Sequence, residues 1–365
     1  MVEWKKLGEV CSFNRGKTIT AKDAVEGPIP VIAGGQTPSY YHNIANRTGE
    51  SVTVAGSGAY AGFVAYWNQP IFVSDAFTVD PSKSLLHLYL FHWLKLNQKR
   101  IFDTQKGAGV PHVHGKDIAN FFIPIPPLFE QERIVGMLDT FTASIDNLKE
   151  QIELRRKQYE HYRDQLLDLE GKPDEDIKFF GDYCTMLKGN GVQKVDFVDE
   201  GVGCIHYGQI YTHYGSFTYT TNKFVSQEVF EKARKASKGD IIMTDTSENV
   251  EDICKSVAWL GDGDIAVSNH ALIIKHQQNP KFLSYSTLTK CFFEQKRKYA
   301  FGVKVTGIRP EHLAKFSIYL PSLSEQQRIV SILDTFEASI GNLEAQLTER
   351  QKQYEYYRNQ LLMFE

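Results

Sequence analysis

The side chains best suited to chemistry in this chain are polar and aromatic residues set among glycines. In the first half they are Gln36, Thr37, Tyr40 and Tyr41 in GGQTPSYYH, then Lys106, His112, His114 and Lys116 in KGAGVPHVHGK. In the second half they are Tyr207, Gln209, Tyr211 and His213 in YGQIYTHY, then Lys304 and Arg309 in KVTGIR. On loops, glutamine, lysine, arginine and histidine can read the edges of bases or hold phosphates. Taken singly, each stretch reads more simply as tyrosine- and glycine-rich surface.

Other chemistries lack their parts. The run GSGAYAG at 56–62 resembles a dinucleotide fingerprint, but its spacing is off by one and a strand-like FVAYW follows where a helix is required. It reads as a glycine-rich turn between strands. Gly16-Lys17-Thr18 lacks the earlier glycine of a phosphate-binding loop. Pro173, Asp174, Asp176 and Lys178 imitate a nuclease motif but are crowded into a polar linker. His112 and His114 have no second pair of metal ligands. Cys11 is more simply a core thiol than a nucleophile. No N-P-P-Y type motif of a methyltransferase is present. The expectation is a chain without catalysis or a metal of its own.

Composition agrees with an intracellular globular protein. Five cysteines form no C-x-x-C and are odd in number, the pattern of reduced cytoplasmic thiols. The opening MVEWKKLGEV lacks the apolar core of a secretory signal, and no run is long enough to span a membrane. The formal net charge is −3. It is unevenly spread: residues 1–125 carry +3 and 171–320 carry +1, whereas 126–170 and 321–365 carry −4 and −3. The acid lies on two long helical segments, and the parts that would meet a polyanion are mildly basic.

Those two segments are a repeat. Residues 126–170 and 321–365 align without a gap at an offset of 195, so that Asp139 matches Asp334. Apolar residues alternate at spacings of four and three, from Ile134 and Leu138 through Ile152 to Tyr159, Tyr162 and Leu166, and again from Ile329 onward. Sustained over this length, the alternation predicts a coiled-coil seam. About 36 residues make a rod of roughly 54 Å, too long to hide in one domain. The two helices are expected to pair with each other and so to set the separation of the globular segments. Arg155 and Arg350 occupy one seam position each, either fixing register or snorkelling outward. Prolines precede both helices, and Ser324 with Gln327 fits a capping box.

The globular segments are a second repeat. WKKLGEVCS at 4–12 echoes IKFFGDYCT at 177–185 at an offset of 173, while their ends agree at 195. The second segment is therefore the first with about 22 additional residues, a shared scaffold presenting different loops. Short β-type runs, a helix near 85–96 and another near 283–298 predict an α+β fold with an irregular sheet. The organisation is 1–125 globular, 126–170 helix, 171–320 globular with 171–176 as linker, and 321–365 helix.

Two divergent segments, each followed by a long helix opening P-x-L-x-E-Q-x-R-I-V-x-x-L-D, resemble the specificity subunit of type I restriction-modification systems. The motif is carried by Leu128, Glu130, Gln131, Arg133, Ile134, Val135, Leu138 and Asp139, and again by Leu323, Glu325, Gln326, Arg328, Ile329, Val330, Leu333 and Asp334. GAGVPHVHGKDIAN at 107–120 is similar to the end of that family's target-recognition domains. The resemblance covers essentially the whole chain. It implies two target-recognition domains, each reading one half of a split double-stranded DNA site, joined by an antiparallel pair of helices. It also implies two modification subunits carrying the methyltransferase chemistry and a restriction or translocase subunit, with S-adenosylmethionine, ATP and Mg2+ used by those partners. Glu130, Gln131, Arg133, Glu325, Gln326 and Arg328 are carried over as candidate contacts to the modification subunits; helix capping and local pairing explain them equally well. The alternative to DNA recognition is a coiled-coil scaffold whose globular parts bind protein or carbohydrate.

Overall fold

The computed structural model describes residues 2–107, 109–302 and 305–364. The chain divides into two compact units, residues 1–150 with 343–365 and residues 151–342. Both long helices are continuous, Leu128–Leu167 and Leu323–Leu362, each of 40 residues. The helix N-cap differs from expectation. Ser322 Oγ, two residues before Ser324, accepts from the Glu325 amide at 3.4 Å. Gln327 does not close a box with Ser324; its Oε1 accepts from Asn279 Nδ2 at 2.9 Å.

Each unit contains the start of one long helix packed against the end of the other. In the first unit Ile134, Val135 and Leu138 share a core with Leu362, and Phe141 stacks on Tyr357 at 5.2 Å. In the second, Ile329, Val330 and Leu333 share a core with Leu167, and Phe336 stacks on Tyr162 at 5.4 Å. As one helix advances from 134 to 141 its mate recedes from 362 to 357, so the pairing within each unit is antiparallel. The seam arginines take matching places: Arg155 lies over the Phe336 ring at 5.9 Å and Arg350 over Phe141 at 5.7 Å. They are half-buried cations on aromatic faces, neither buried ion pairs nor free in solvent.

This geometry bears on stability. Replacing both arginines with leucine removes cation–π contacts of about 1 kcal/mol each and adds apolar burial of about 1–2 kcal/mol each. The thermal midpoint should hold or rise by a few degrees, while discrimination against other helix pairings weakens. A loss above about 3 kcal/mol would instead mark them as paired buried charges.

The globular parts share one plan. In the first unit a four-stranded sheet runs Cys11–Arg15, Ala76–Pro81, Glu50–Ala55, Val64–Asn68, and a three-stranded sheet runs Tyr40–His42, Ile29–Ile32, Phe72–Val73. In the second unit the order Thr185–Lys188, Ala271–Lys275, Ile241–Thr244, Ser256–Trp259 repeats the first sheet, with Phe217–Thr218 added at its edge. Lys223–Val225, Val202–Ile205 and Ile265–Val267 repeat the second sheet, flanked by the additional strands Phe197–Val198 and Lys235–Ala236. The additional residues therefore lie at sheet edges and in the connections around 206–222 and 226–264. Two-stranded ribbons, Glu3–Lys6 with Phe122–Ile125 and Ile177–Phe179 with Ser317–Tyr319, close the ends of each segment.

The helix expected near 85–96 forms at His87–Leu96. The one expected near 283–298 is two helices, Pro280–Ser286 and Lys290–Tyr299, broken where Thr289 caps the second by accepting from the Phe292 amide. The glycine-rich run at 56–62 is the turn of the hairpin formed by Glu50–Ala55 and Val64–Asn68, and 174–176 is a short 3-10 turn. Among the described residues no helix is long and apolar enough to cross a membrane.

Candidate nucleic-acid interface

A tight hairpin stands at the same place in each globular segment. In the first unit Lys106 and His112 exchange main-chain hydrogen bonds of 2.8 and 2.9 Å. Gly107 at its turn has φ +112, and a Cβ there would meet the Val110 carbonyl at 2.6 Å. The hairpin is tied to the 56–58 turn by the amides of Gly58 and Val113, which donate to Pro111 O and Gly56 O at 3.0 Å. In the second unit Phe301 and Gly307 exchange the same bonds at 2.7 and 3.0 Å, and the hairpin pairs with Thr246–Ser247. Gly302 has φ +107 and could carry no side chain, since Val305 O lies 2.0 Å from where its Cβ would be.

Four of the expected residues converge at the first hairpin. His112 and His114 alternate with the buried Val113, so their rings face outward together, parallel within 3° at 6.3 Å. Lys106 pairs with Asp117 at 2.6 Å, a bond that holds the Asp117 carboxyl below its ordinary range. Lys116 is exposed. His112, His114 and Lys116 line an open depression of about 370 Å³ with Phe13, Arg15 and Asp75. Gln36 and Thr37 are exposed on the loop that leaves this region, and Gly34, where a Cβ would lie 2.2 Å from Ser57 O, presses that loop onto the 56–58 turn.

Other expected residues serve the fold. The Tyr40 hydroxyl donates to Ile19 O at 2.6 Å, whereas Tyr41, on the opposite face of the strand, is exposed. Gln209 is spent on both sides: its Oε1 accepts from the His206 amide at 2.8 Å, and its Nε2 donates to Asn222. Tyr211 donates its hydroxyl to Thr246 O. These three side chains help to hold loops together. Tyr207 is half-buried between the rings of His206 and His270, at 4.5 and 5.3 Å. His270 itself has φ +64, a left-handed backbone uncommon outside glycine and often kept at functional positions. His213 and Arg309 are exposed, with Arg309 over the Phe301 ring at 5.3 Å. Lys304 lies outside the described residues.

The proposed partner contacts also separate. Glu130–Arg133 and Glu325–Arg328 are paired twice each, at 2.6 and 2.9 Å and at 2.7 and 2.7 Å, on the outer face of the helices. Beside them Phe129 is 70% exposed and Leu323 58%. Gln131 and Gln326 are fully buried and cannot contact a partner. Gln131 accepts from the Leu86 amide at 2.9 Å and donates to Ser84 O and Pro126 O at 2.9 and 2.8 Å. Gln326 accepts from the Asn279 amide at 3.0 Å and donates to Pro321 O and Gln278 Oε1 at 2.8 and 2.9 Å. Both are pegs fastening a helix to its globular segment.

Burial pushes all five thiols up to about 12, so none is an activated nucleophile near neutral pH. Among the described residues no three histidine, cysteine or acidic side chains gather as a metal site. Arg15 and Asp75 were not legible as site residues. They meet through the pairing of Cys11–Arg15 with Ala76–Pro81, two runs about sixty positions apart that local patterns do not connect.

Each unit presents its loops on a scaffold fastened to the long helices, which is the arrangement of a recognition module. The chain belongs to the family of type I restriction-modification DNA specificity proteins, whose domain matches residues 1–155 and 206–351. It is 28% identical over its whole length to a putative type I restriction enzyme specificity subunit of Haemophilus influenzae, covering 96% of that protein. It is 26% identical, again over its whole length, to the EcoR124I/EcoR124II specificity subunit of Escherichia coli, covering 94% of it. In fold it is similar to the type I restriction-modification S subunit from M. genitalium, with a TM-score of 0.63 at 15% identity over all of this chain and 97% of that one. A second type I restriction-modification structure gives 0.60 at 16% identity, covering 99% and 97%. The relatives carry the role of specificity, and that, not catalysis, is the role of this chain.

Proposed function

We propose that each unit reads one block of a bipartite double-stranded DNA target, and that the chain thereby positions two modification subunits and a restriction subunit on that target. The supporting observation is the repeated hairpin-and-turn platform, which bears His112, His114 and Lys116 in one unit and Arg309 in the other. One scaffold with two sets of side chains suits two different blocks of sequence. The partners would supply the chemistry, using S-adenosylmethionine for methylation and ATP with Mg2+ for restriction, in the cytoplasm where the DNA lies. The exposed Glu130–Arg133 and Glu325–Arg328 pairs, with Phe129 and Leu323 beside them, are the helix surfaces suited to docking the modification subunits.

Duplex binding by the full chain with its modification subunits tests this reading. Phosphate contacts release counterions, so affinity for a target duplex should fall about tenfold or more between about 50 and 200 mM salt. Salt-independent binding, or none, would favour the scaffold reading, in which the globular parts hold protein or carbohydrate.

A further inference from the structure

We propose that the depression of the first unit reads one G·C base pair from the major groove, with Arg15 as the donor and Asp75 as the acceptor. The inference rests on the DNA-reading function above and names the side chains that would read one position. Arg15 ends the strand Cys11–Arg15 opposite Phe77, and Asp75 immediately precedes the strand Ala76–Pro81, so both open into the same depression. Among the described residues the Arg15 guanidinium has no ion pair or hydrogen bond. The Asp75 carboxylate is oriented by the Ser57 hydroxyl, which donates to Oδ2. Its Oδ1 has no hydrogen-bond partner among the described residues.

Two glycines border that carboxylate. A Cβ on Gly56 would lie 3.4 Å from Asp75 Oδ1, and one on Gly34 would lie 3.8 Å from Oδ2. Phe13 and Phe77 supply apolar walls, and His112 and His114 stand at the rim. A carboxylate held ready by a dedicated hydroxyl repels phosphate, so this part of the surface suits a base edge. A guanidinium matches two neighbouring acceptors, which guanine presents as O6 and N7, while a carboxylate accepts from cytosine N4. The second unit lacks this combination. By strand register Lys188 stands where Arg15 does, since it pairs with Leu272 as Arg15 pairs with Phe77, and His270 precedes its strand as Asp75 does. There Lys188 is already paired, with Asp245 at 3.1 Å.

The test is to map the methylated sequences produced by the full chain with its modification subunits, as wild type, Asp75→Asn and Arg15→Gln, since glutamine pairs with adenine rather than guanine. Asparagine keeps the size of the side chain and can keep the Ser57 bond, but it adds a donor and favours adenine. Both variants should lose about tenfold or more of their discrimination at one and the same G·C position of one block, with the other block unchanged and thermal unfolding near wild type. Wild-type sequence preference in both variants would overturn the inference, as would an effect on both blocks. A uniform loss of affinity across all sequences would mean that the residues meet phosphates, and would overturn it too. If the wild-type complex itself marked no two-block sequence, the DNA-reading function would fail first.

Discussion

Exchanging residues 1–125 for the matching segment of another family member should change one block of the recognised sequence and leave the other as it was. The joint that such a hybrid must rebuild is apolar packing with a few polar anchors: Ile134, Val135 and Leu138 share a core with Leu85, Tyr89 and Trp93. Gln131 holds the segment through the Leu86 amide and Ser84 carbonyl, which any segment following the same path would supply. One polar side-chain contact would also be at risk. His92 is buried and bonds Asp139 at 3.1 Å and the Tyr354 hydroxyl at 3.3 Å. Burial lowers its pKa, and the Asp139 bond opposes that shift. The matching place in the second unit is filled differently: the Tyr285 hydroxyl donates to Asp334 at 2.7 Å and lies 3.0 Å from the Glu337 carboxyl. The joint thus tolerates more than one chemistry around a fixed aspartate, and hybrids should fold with a modest loss of stability. Methylation mapping of the hybrid checks the expectation; simultaneous change in both blocks would show that the segments do not read independently.

The glutamine pegs should be the most sensitive positions on the helices. Gln131→Leu strands the buried Pro126 carbonyl and takes the partner from the half-buried Leu86 amide and the Ser84 carbonyl, at about 1–3 kcal/mol for each group left unsatisfied. A loss of about 3–5 kcal/mol is expected, and a similar one for Gln326→Leu, measured by denaturant unfolding of the full chain. The neighbouring Arg133→Ala and Arg328→Ala remove exposed ion pairs and should leave the unfolding midpoint near wild type. A Gln131→Leu protein as stable as wild type would contradict the assignment of this side chain to the joint. The contrast separates the motif E-Q-x-R into an inward residue that builds the fold and outward residues left for a partner.

That motif also shows where the sequence was legible and where it was not. The seam, the duplication and the two long helices follow from spacing, because helical periodicity depends on neighbours three and four positions away. The inward role of Gln131 does not, because it is fixed by carbonyls and amides about forty-five positions away. The same limit explains the candidate site. His112, His114 and Lys116 lie in one local run and were seen together. Arg15 and Asp75 are joined to them only by sheet register. Gln209 and Tyr211 looked like ligand-binding residues because their types are right, yet the fold uses their polar atoms to cap a helix and pin a loop. The break between Ser286 and Lys290 is hidden in the sequence because the apolar pattern continues across it, whereas Thr289 turns inward to cap the next helix.

The central claim is that this chain, and not its partners, chooses the DNA sequence. Single-molecule mapping of methylated bases in cells that carry the modification subunits, with and without this chain, tests it most directly. With the chain present, methylation should fall on one motif made of two defined blocks separated by unspecified bases; without it, that motif should be unmodified. The same motif methylated in both cells, or scattered methylation without a motif when the chain is present, would contradict the account.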